Sequence, residues 1–300
     1  MSESIGFVIL HYNTIKETID CAESIRHNID TEKYHIVIVD NASPNGTGRK
    51  LAEKYKNSDR ITVIRNKENL GFANGNNIGY RYCKEVLNCS FVCVLNNDTL
   101  VIQKDFFAVV KKEYARSSFS IMGPQIILKN GKINLLYYRF PDAEHFRNEL
   151  KMHKKDYLAM KWHLNYPYVA FKLLRNQVRR IFGKEKKSPY RQYQLFEHLD
   201  QRREDVVLHG CCIIFSPQYA QHYEEAFDPR TFLYKEEELL YLRCRKRNLK
   251  IVYNPELMIK HLEDVATNSI NRKRRNKIMF WLENQIRSLE ILINELEEGV

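Results

Sequence analysis

Along the first 120 residues, short apolar runs alternate with stretches of helical period. Residues 5–10, 36–39, 61–64 and 91–95 are almost continuously apolar. Runs of that length predict strands buried on both faces. Between them, Ile15, Ile19, Ala22 and Ile25 recur at helical spacing. They follow Thr14-x-x-Glu17, the pattern of a capping box. Residues 47–55, a stretch marked by Ile78, Tyr82 and Val86, and residues 105–114 predict three more helices. Strand and helix in alternation predict an α/β fold, a Rossmann-like, mostly parallel sheet flanked by helices.

The pattern then changes. Residues 126–128 followed by Asn130-Gly131 predict a hairpin turn. A basic, aromatic segment follows, in which Phe171, Leu174, Val178 and Ile181 share one helical face and Lys172, Arg175, Arg179 and Arg180 surround the other. Regular structure returns over 206–216. A helix over 236–247, a strand over 251–253 and a long last helix from residue 277 complete the chain. The expected division is 1–130, a helical insertion over 131–205, a second half over 206–265, and a basic segment with the C-terminal helix over 266–300.

Charge sharpens this division. The 300 residues carry a net charge of +11. Residues 134–205 hold 16 Lys+Arg against 9 Asp+Glu, together with 13 of the 35 aromatics. Residues 271–277 hold five cations and no acid. Such a balance predicts an anionic partner: nucleotide, nucleic acid or membrane surface. The mean hydropathy of -0.51 and the lack of an apolar run near ~18 residues argue against a spanning helix. The start has no basic lead, and its apolar run is too short for a secretory signal, so a cytoplasmic location is expected. The seven cysteines, 21, 83, 89, 93, 211, 212 and 244, form no metal-type spacing. An odd number of reduced thiols fits that compartment.

Candidate chemistry lies just past the strands, where open parallel sheets bind ligands. The first strand leads to His11-Tyr12-Asn13 and the second to Asp40-Asn41-Ala42-Ser43. The third leads to a glycine-rich stretch, 69–79, and the fourth to Asn96-Asn97-Asp98-Thr99. Each alone is an ordinary turn composition. Four along one sheet edge describe a polar crevice. Gly71, Gly75 and Gly79 match neither the dinucleotide nor the Walker fingerprint, yet they allow close backbone approach to a phosphate or ribose. A lone carboxylate at Asp98 suits a hard divalent cation that takes further oxygens from a diphosphate.

Taken together, these motifs resemble family 2 glycosyltransferases of the GT-A fold, with the rhamnosyltransferase-like enzymes of bacterial surface polysaccharides as the nearest branch. The resemblance rests on VILHYN at 8–13, VDNAS at 39–43, NLGFANGNNIG at 69–79, LNNDT at 95–99, LHGCCIIFSP at 208–217, FLYKEEELLYLR at 232–243, Asn254-Pro255 and His261. It covers about 5–130 and 206–265.

The resemblance implies an inverting, metal-dependent transfer of a sugar from a UDP or dTDP donor to a glycan hydroxyl. The acceptor would be linked to undecaprenyl pyrophosphate. Tyr12, Asn13, Asp40 and Asn41 would line the nucleotide pocket, and Asn69, Gly71, Asn77 and Asn97 would border the ribose, diphosphate and sugar. Asp98 and His261 would hold Mg²⁺ or Mn²⁺. Glu236-Glu237 match the acidic pair whose second member is the general base. Arg272, Lys273, Arg274 and Arg275 would contact phosphate or an anionic membrane, at which the enzyme would sit peripherally on the inner face. The last helix either packs on the body or forms a homodimer seam.

Two positions depart from the family pattern. Asn96 replaces the first Asp of a strict DxD, and Glu237 replaces an Asp. A run of three Glu leaves both Glu237 and Glu236 open as the base, with Glu237 favoured. Two other classes compete. A nucleic-acid binder would explain the charge, but it leaves Asp40, Asp98 and the Glu run unused. A sugar nucleotidyltransferase would need a Gly/Lys phosphate loop near the first strand, and His11-Tyr12-Asn13-Thr14 does not supply one. No nucleic-acid partner is expected.

Overall fold

A computed structural model describes residues 3–133, 139–162, 199–262 and 274–299. The first half runs β1 (Ile5–His11), α1 (Ile15–Asn28), β2 (Tyr34–Asp40), α2 (Thr47–Tyr55), β3 (Ile61–Arg65) and α3 (Gly71–Arg81). A π-helical turn, Tyr82–Val86, extends α3. Then come β4 (Phe91–Asn96), β5 (Thr99–Val101), α4 (Phe106–Ser117) and β6 (Ile121–Leu128). The second half runs α5 (Ala143–Lys161), β7 (Arg203–Glu204), β8 (Cys212–Phe215), α6 (Pro217–Ala220), α7 (Glu236–Lys246), β9 (Ile251–His261) and α8 (Arg274–Glu297).

One mixed sheet has the order β3-β2-β1-β4-β8-β6-β9-β5, with β7 beside β9. The first four of these are mutually parallel. β8 runs against both β4 and β6, and β5 runs against β9. The fold is therefore α/β with a mostly parallel sheet. The continuously apolar runs are the buried strands: Ile5, Phe7, Val8, Ile9, Ile36, Val37, Ile38 and Val39 are all inaccessible. Register sets His11 beside Asp40 and Leu10 beside Asn96. The polar strand ends thus share one edge.

Several expectations are corrected locally. Thr14 precedes α1 but makes no side-chain cap; its hydroxyl instead accepts a hydrogen bond from Asn97 Nδ2 at 2.6 Å. The strand expected at 251–253 extends to His261, passing Pro255 where the register against β6 shifts after Pro124. A bulge of this kind is how a strand tolerates proline. The Asn130-Gly131 turn forms as expected: Gly131 has φ +79 and its N–H donates to Leu128 O at 2.9 Å.

Helix α5 was not foreseen, because its buried side chains are only Phe146, His153 and Ala159. It packs along α8, with His153 against Trp281 at 4.8 Å and Tyr157 donating to Glu283 at 3.0 Å. Leu282, Leu289, Leu292 and Ile293 of α8 are buried within the chain itself. Packing on the body thus takes up these four positions of the apolar face, while Ile278 and Trp281 on the same helix remain exposed. The helix expected over 171–181 lies outside the described residues. No described helix is long and apolar enough to cross a membrane.

Gly71 opens α3 with φ +80, and a Cβ there would lie 2.2 Å from Phe232 O. That close approach lets Phe72 N–H donate to the same carbonyl at 2.7 Å. Gly71→Ala should cost about 2–4 kcal/mol, combining left-handed strain with a backbone clash. Gly46→Ala is the control: φ is +74 but nothing lies within 4 Å, so only about 1 kcal/mol is expected. Denaturant unfolding of both variants checks the difference.

Candidate active site

The edge formed by β1 and β2 is held by its own polar side chains. His11 lies between the hydroxyls of Thr18 and Thr47, at 2.7 and 2.9 Å. Burial, against the opposing pull of Asp40, depresses its pKa to about 4, so the ring is neutral. Asp40 is buried, and its Oδ1 accepts from Ser43 N–H at 3.1 Å. Its Oδ2 is 3.9 Å from Arg65 Nε. The carboxylate rests on Gly48 of α2, where a Cβ would come within 1.6 Å of it. Asn13 adopts φ +66, and its N–H donates to Ser43 Oγ at 2.9 Å. Asn13 Oδ1 is buried with no hydrogen-bond partner. Tyr12, between His11 and Asn13, is partly exposed.

The glycine-rich stretch is tied down by asparagines. Asn41 Nδ2 donates to Asn69 Oδ1 and Gly71 O, both at 2.9 Å. Asn41 Oδ1 accepts from Leu70 N–H at 2.9 Å and from Asn66 Nδ2 at 3.2 Å. Asn69 Oδ1 also accepts from Gly71 N–H. Asn77 stands apart from this edge. Its Nδ2 donates to Phe227 O and Glu225, and its Oδ1 accepts from Phe227 N–H at 2.9 Å. These bonds make Asn77 a staple between α3 and residues 225–227. Asn97 is likewise engaged, donating to the Thr14 and Thr18 hydroxyls.

At the end of β4, Asp98 Oδ1 lies 3.2 Å from His261 Nε2, and both residues are buried. His261 Nδ1 is buried with no hydrogen-bond partner. A carboxylate and an imidazole with spare coordinating capacity fit a divalent ion that takes further oxygens from a diphosphate. His209, Cys211 and His261 also bring possible ligand atoms within 4.8 Å of one another. His209 Nδ1, however, already accepts from Cys211 N–H at 2.9 Å. Burial raises the Cys211 thiol well above its usual range, which disfavours the thiolate that would bind a metal. The Asp98–His261 pair fits the ion better.

Residues 209–212 connect this pair to the acidic run. Gly210 N–H donates to Glu237 Oε1 at 3.1 Å. Burial, reinforced by Glu238, raises the Glu237 carboxyl to about 7. Glu236 is more deeply buried, and burial with its neighbour Glu237 raises it well above the ordinary range. Its Oε1 has no hydrogen-bond partner. Glu237 is the partly open member of the run. Arg275 donates to Met160 O at 2.9 Å, at the α5–α8 contact. Arg272 and Lys273, as well as the Arg274 side chain, lie outside the described residues.

Comparison with known proteins bears directly on this arrangement. Residues 7–182, more than half of the chain, match the profile of Glycosyl transferase family 2. This chain belongs to that family. The Low-salt glycan biosynthesis hexosyltransferase Agl10 of Haloferax volcanii is 33% identical over 131 residues, 44% of this chain. The match spans 39% of that relative's length. Two crystal structures of S. aureus TarS 1-349, with UDP and with UDP-GlcNAc, superpose with TM-scores of 0.50 and 0.51. They share 13% and 12% identity, and each comparison covers 94% of this chain and 71% or 72% of the other. At that identity the likeness is one of fold.

Sequence reasoning missed Lys235 and Glu149 in this member of the family. Lys235 directly precedes the acidic run and is buried beside it. Its only signal in the sequence is a cation set against three acids. Glu149 lies on α5, whose weak apolar pattern hid the whole helix.

Proposed function

We propose that this chain is an inverting glycosyltransferase that moves a sugar from a UDP or dTDP donor to a hydroxyl of a glycan acceptor. Residues 1–130 would hold the donor and 206–265 the acceptor side. The observation that carries the reading is the Glu237 carboxyl. It is partly open and poised near neutrality, and Gly210 holds it on the strand of chain that reaches the Asp98–His261 pair.

Asp40, with Tyr12 and Asn13, recognises the base imide N–H, and the unpartnered Asn13 Oδ1 supports a ligand there. The Asn41–Asn69 network holds Gly71 close to the ribose and diphosphate. Asp98 and His261 would hold Mg²⁺ or Mn²⁺, which supplies positive charge to the departing diphosphate. Glu237 takes the proton from the acceptor hydroxyl as that oxygen attacks the anomeric carbon. Glu238 keeps that carboxyl wall unfavourable to a second negative charge, while Glu236, deeper and without a partner for Oε1, is the alternative base. A single displacement inverts the anomeric centre and needs no enzyme nucleophile. A rhamnosyl donor follows from the branch resemblance. The basic 131–205 and 271–277 stretches suit an undecaprenyl-pyrophosphate-linked acceptor at an anionic bilayer.

A thermal-shift panel of UDP, dTDP, GDP and CMP, each with and without Mn²⁺ or Mg²⁺, tests the donor pocket. A nucleotide at about a hundred times its Kd should add about 2.7 kcal/mol. A metal-dependent shift with UDP or dTDP alone is expected. Equal shifts with all four would remove the role given to Asp40.

A further inference from the structure

We propose that Lys235 and Glu149 form a positioning couple through which α5 holds the start of α7 and tunes the Glu237 carboxyl. This inference rests on reading Glu237 as the base, and it brings the insertion into the catalytic machinery.

The backbone gives the first observation. Tyr234 and Lys235 are consecutive left-handed residues, with φ of 74 and 65. Neither is glycine, so the turn into α7 is strained and must be held by contacts. Those contacts are charged and buried. Lys235 is 6% exposed. Its ammonium donates to Glu149 Oε1 and Oε2, both at 3.1 Å, and to Glu238 Oε1 at 3.3 Å. It also lies 5.6 Å from the centre of the Phe146 ring. Phe146 and Glu149 both belong to α5.

The second observation is the surroundings of the couple. His153 Nε2 is 3.4 Å from Glu149 Oε1, and His145 Nε2 is 4.0 Å from Oε2. Trp281 of α8 packs on the rings of both His153 and Tyr234. Ser288 of α8 donates to Leu233 O at 2.9 Å. The residues before the acidic run are thus clamped between α5 and α8. Removing Lys235 leaves buried negative charge at both Glu149 and Glu238 without that cation, and removing Glu149 as well relieves one of the two.

The couple acts on Glu237 through charge. On its own helix, Glu237 faces Glu236, Glu238 and Lys235. From residues 209–212 it faces the Gly210 N–H and the Cys211 thiol. His209 lies on that segment, and Asp98 and His261 lie beyond it, after β4 and at the end of β9. The Lys235 charge favours ionised Glu237, while Glu238 opposes it. Glu149 partly neutralises Lys235. The two members of the couple therefore push the base in opposite directions.

The test uses the full chain carrying isotope-labelled glutamate. The Glu237 carboxyl signal is assigned by its loss in Glu237→Gln, and its titration midpoint is followed by NMR. Lys235→Met should raise the midpoint by about one pH unit, and Glu149→Gln should lower it by about half a unit. Lys235→Arg should restore the wild-type midpoint. The double variant Lys235→Met/Glu149→Gln should recover part of the melting temperature lost in Lys235→Met, Glu238 still lacking its cation, while keeping its raised midpoint. That variant serves if a single one fails to fold. In parallel, the pH profile of UDP or dTDP release from UDP-glucose, UDP-GlcNAc or dTDP-rhamnose should move with the midpoint. Midpoints that stay put, or move in the same direction in both single variants, overturn the proposal. Wild-type turnover by Glu237→Gln overturns the base reading instead, and the titration distinguishes the two failures.

Discussion

Glu237→Gln should lower kcat by about 10²–10⁴-fold, the usual contribution of a general base, and should at the same time raise the melting temperature at pH 8. Glutamine keeps an oxygen that can accept from Gly210 N–H, so the segment 209–212 retains its anchor. What disappears is the carboxylate. In the folded chain this group keeps its proton up to about pH 7, against an ordinary value of 4.5. Its contribution to stability is therefore full below about 4.5 and is lost as the pH rises through 7. The ionised form costs about 2 kcal/mol at pH 8, less than the full shift implies because the group is partly open to solvent. Calorimetry should show the variant more stable at pH 8 and equal to wild type at pH 4. In the wild type, turnover should fall as the pH drops below about 7. Retained activity, or equal melting at both pH values, would take the base role away from Glu237.

Asp98→Asn should abolish metal-dependent turnover, a loss of about 10²–10³-fold or more, because charge stabilisation of a leaving diphosphate is worth several kcal/mol. The amide oxygen can still face His261 Nε2, so the turn between β4 and β5 is kept. The informative readout is binding. UDP or dTDP should still raise the melting temperature through the Asp40 side of the crevice, while the additional shift from Mn²⁺ should vanish. An unchanged Mn²⁺ shift would mean that the ion is held by other ligands, with His209 and Cys211 the first to test.

The strands were legible because each buried run is short and apolar throughout, as at Phe7, Val8 and Ile9. The common edge was legible because each of these strands ends in Asn, Asp or His or, for β3, in Arg65 followed at once by Asn66. What the sequence hid follows from the same logic. Strand β5 has three residues and no pattern to read. Helix α5 buries few side chains and is held largely by ion pairs and ring contacts to α8, none of which has a period. Asn77 and Asn97 stand in motifs whose polarity suggests ligand contacts, and their amides also close internal networks that the motifs do not announce. Composition cannot separate an asparagine that meets a ligand from one that staples two segments together. Lys235 was invisible for a related reason: its partner Glu149 is 86 residues away in the chain.

That last separation is part of a wider arrangement in the sheet. The strands β1, β2 and β3 pair with near neighbours in sequence and β4 comes back beside β1, with Ile5 facing Phe91, yet β4 takes the still more distant β8 as its other partner, with Cys93 facing Ile214. Closing so long a loop carries an entropic cost that must be met before the pairing returns anything. Assembly therefore favours the nucleotide side first, from local segments. The acidic run, the Gly210 anchor and His261 reach Asp98 only after the chain has come back across β4. If the proposed roles hold, a nascent or partly folded chain would present a nucleotide crevice with no base in it, so that occupancy of the crevice and competence for transfer would arise at different times in the life of each molecule.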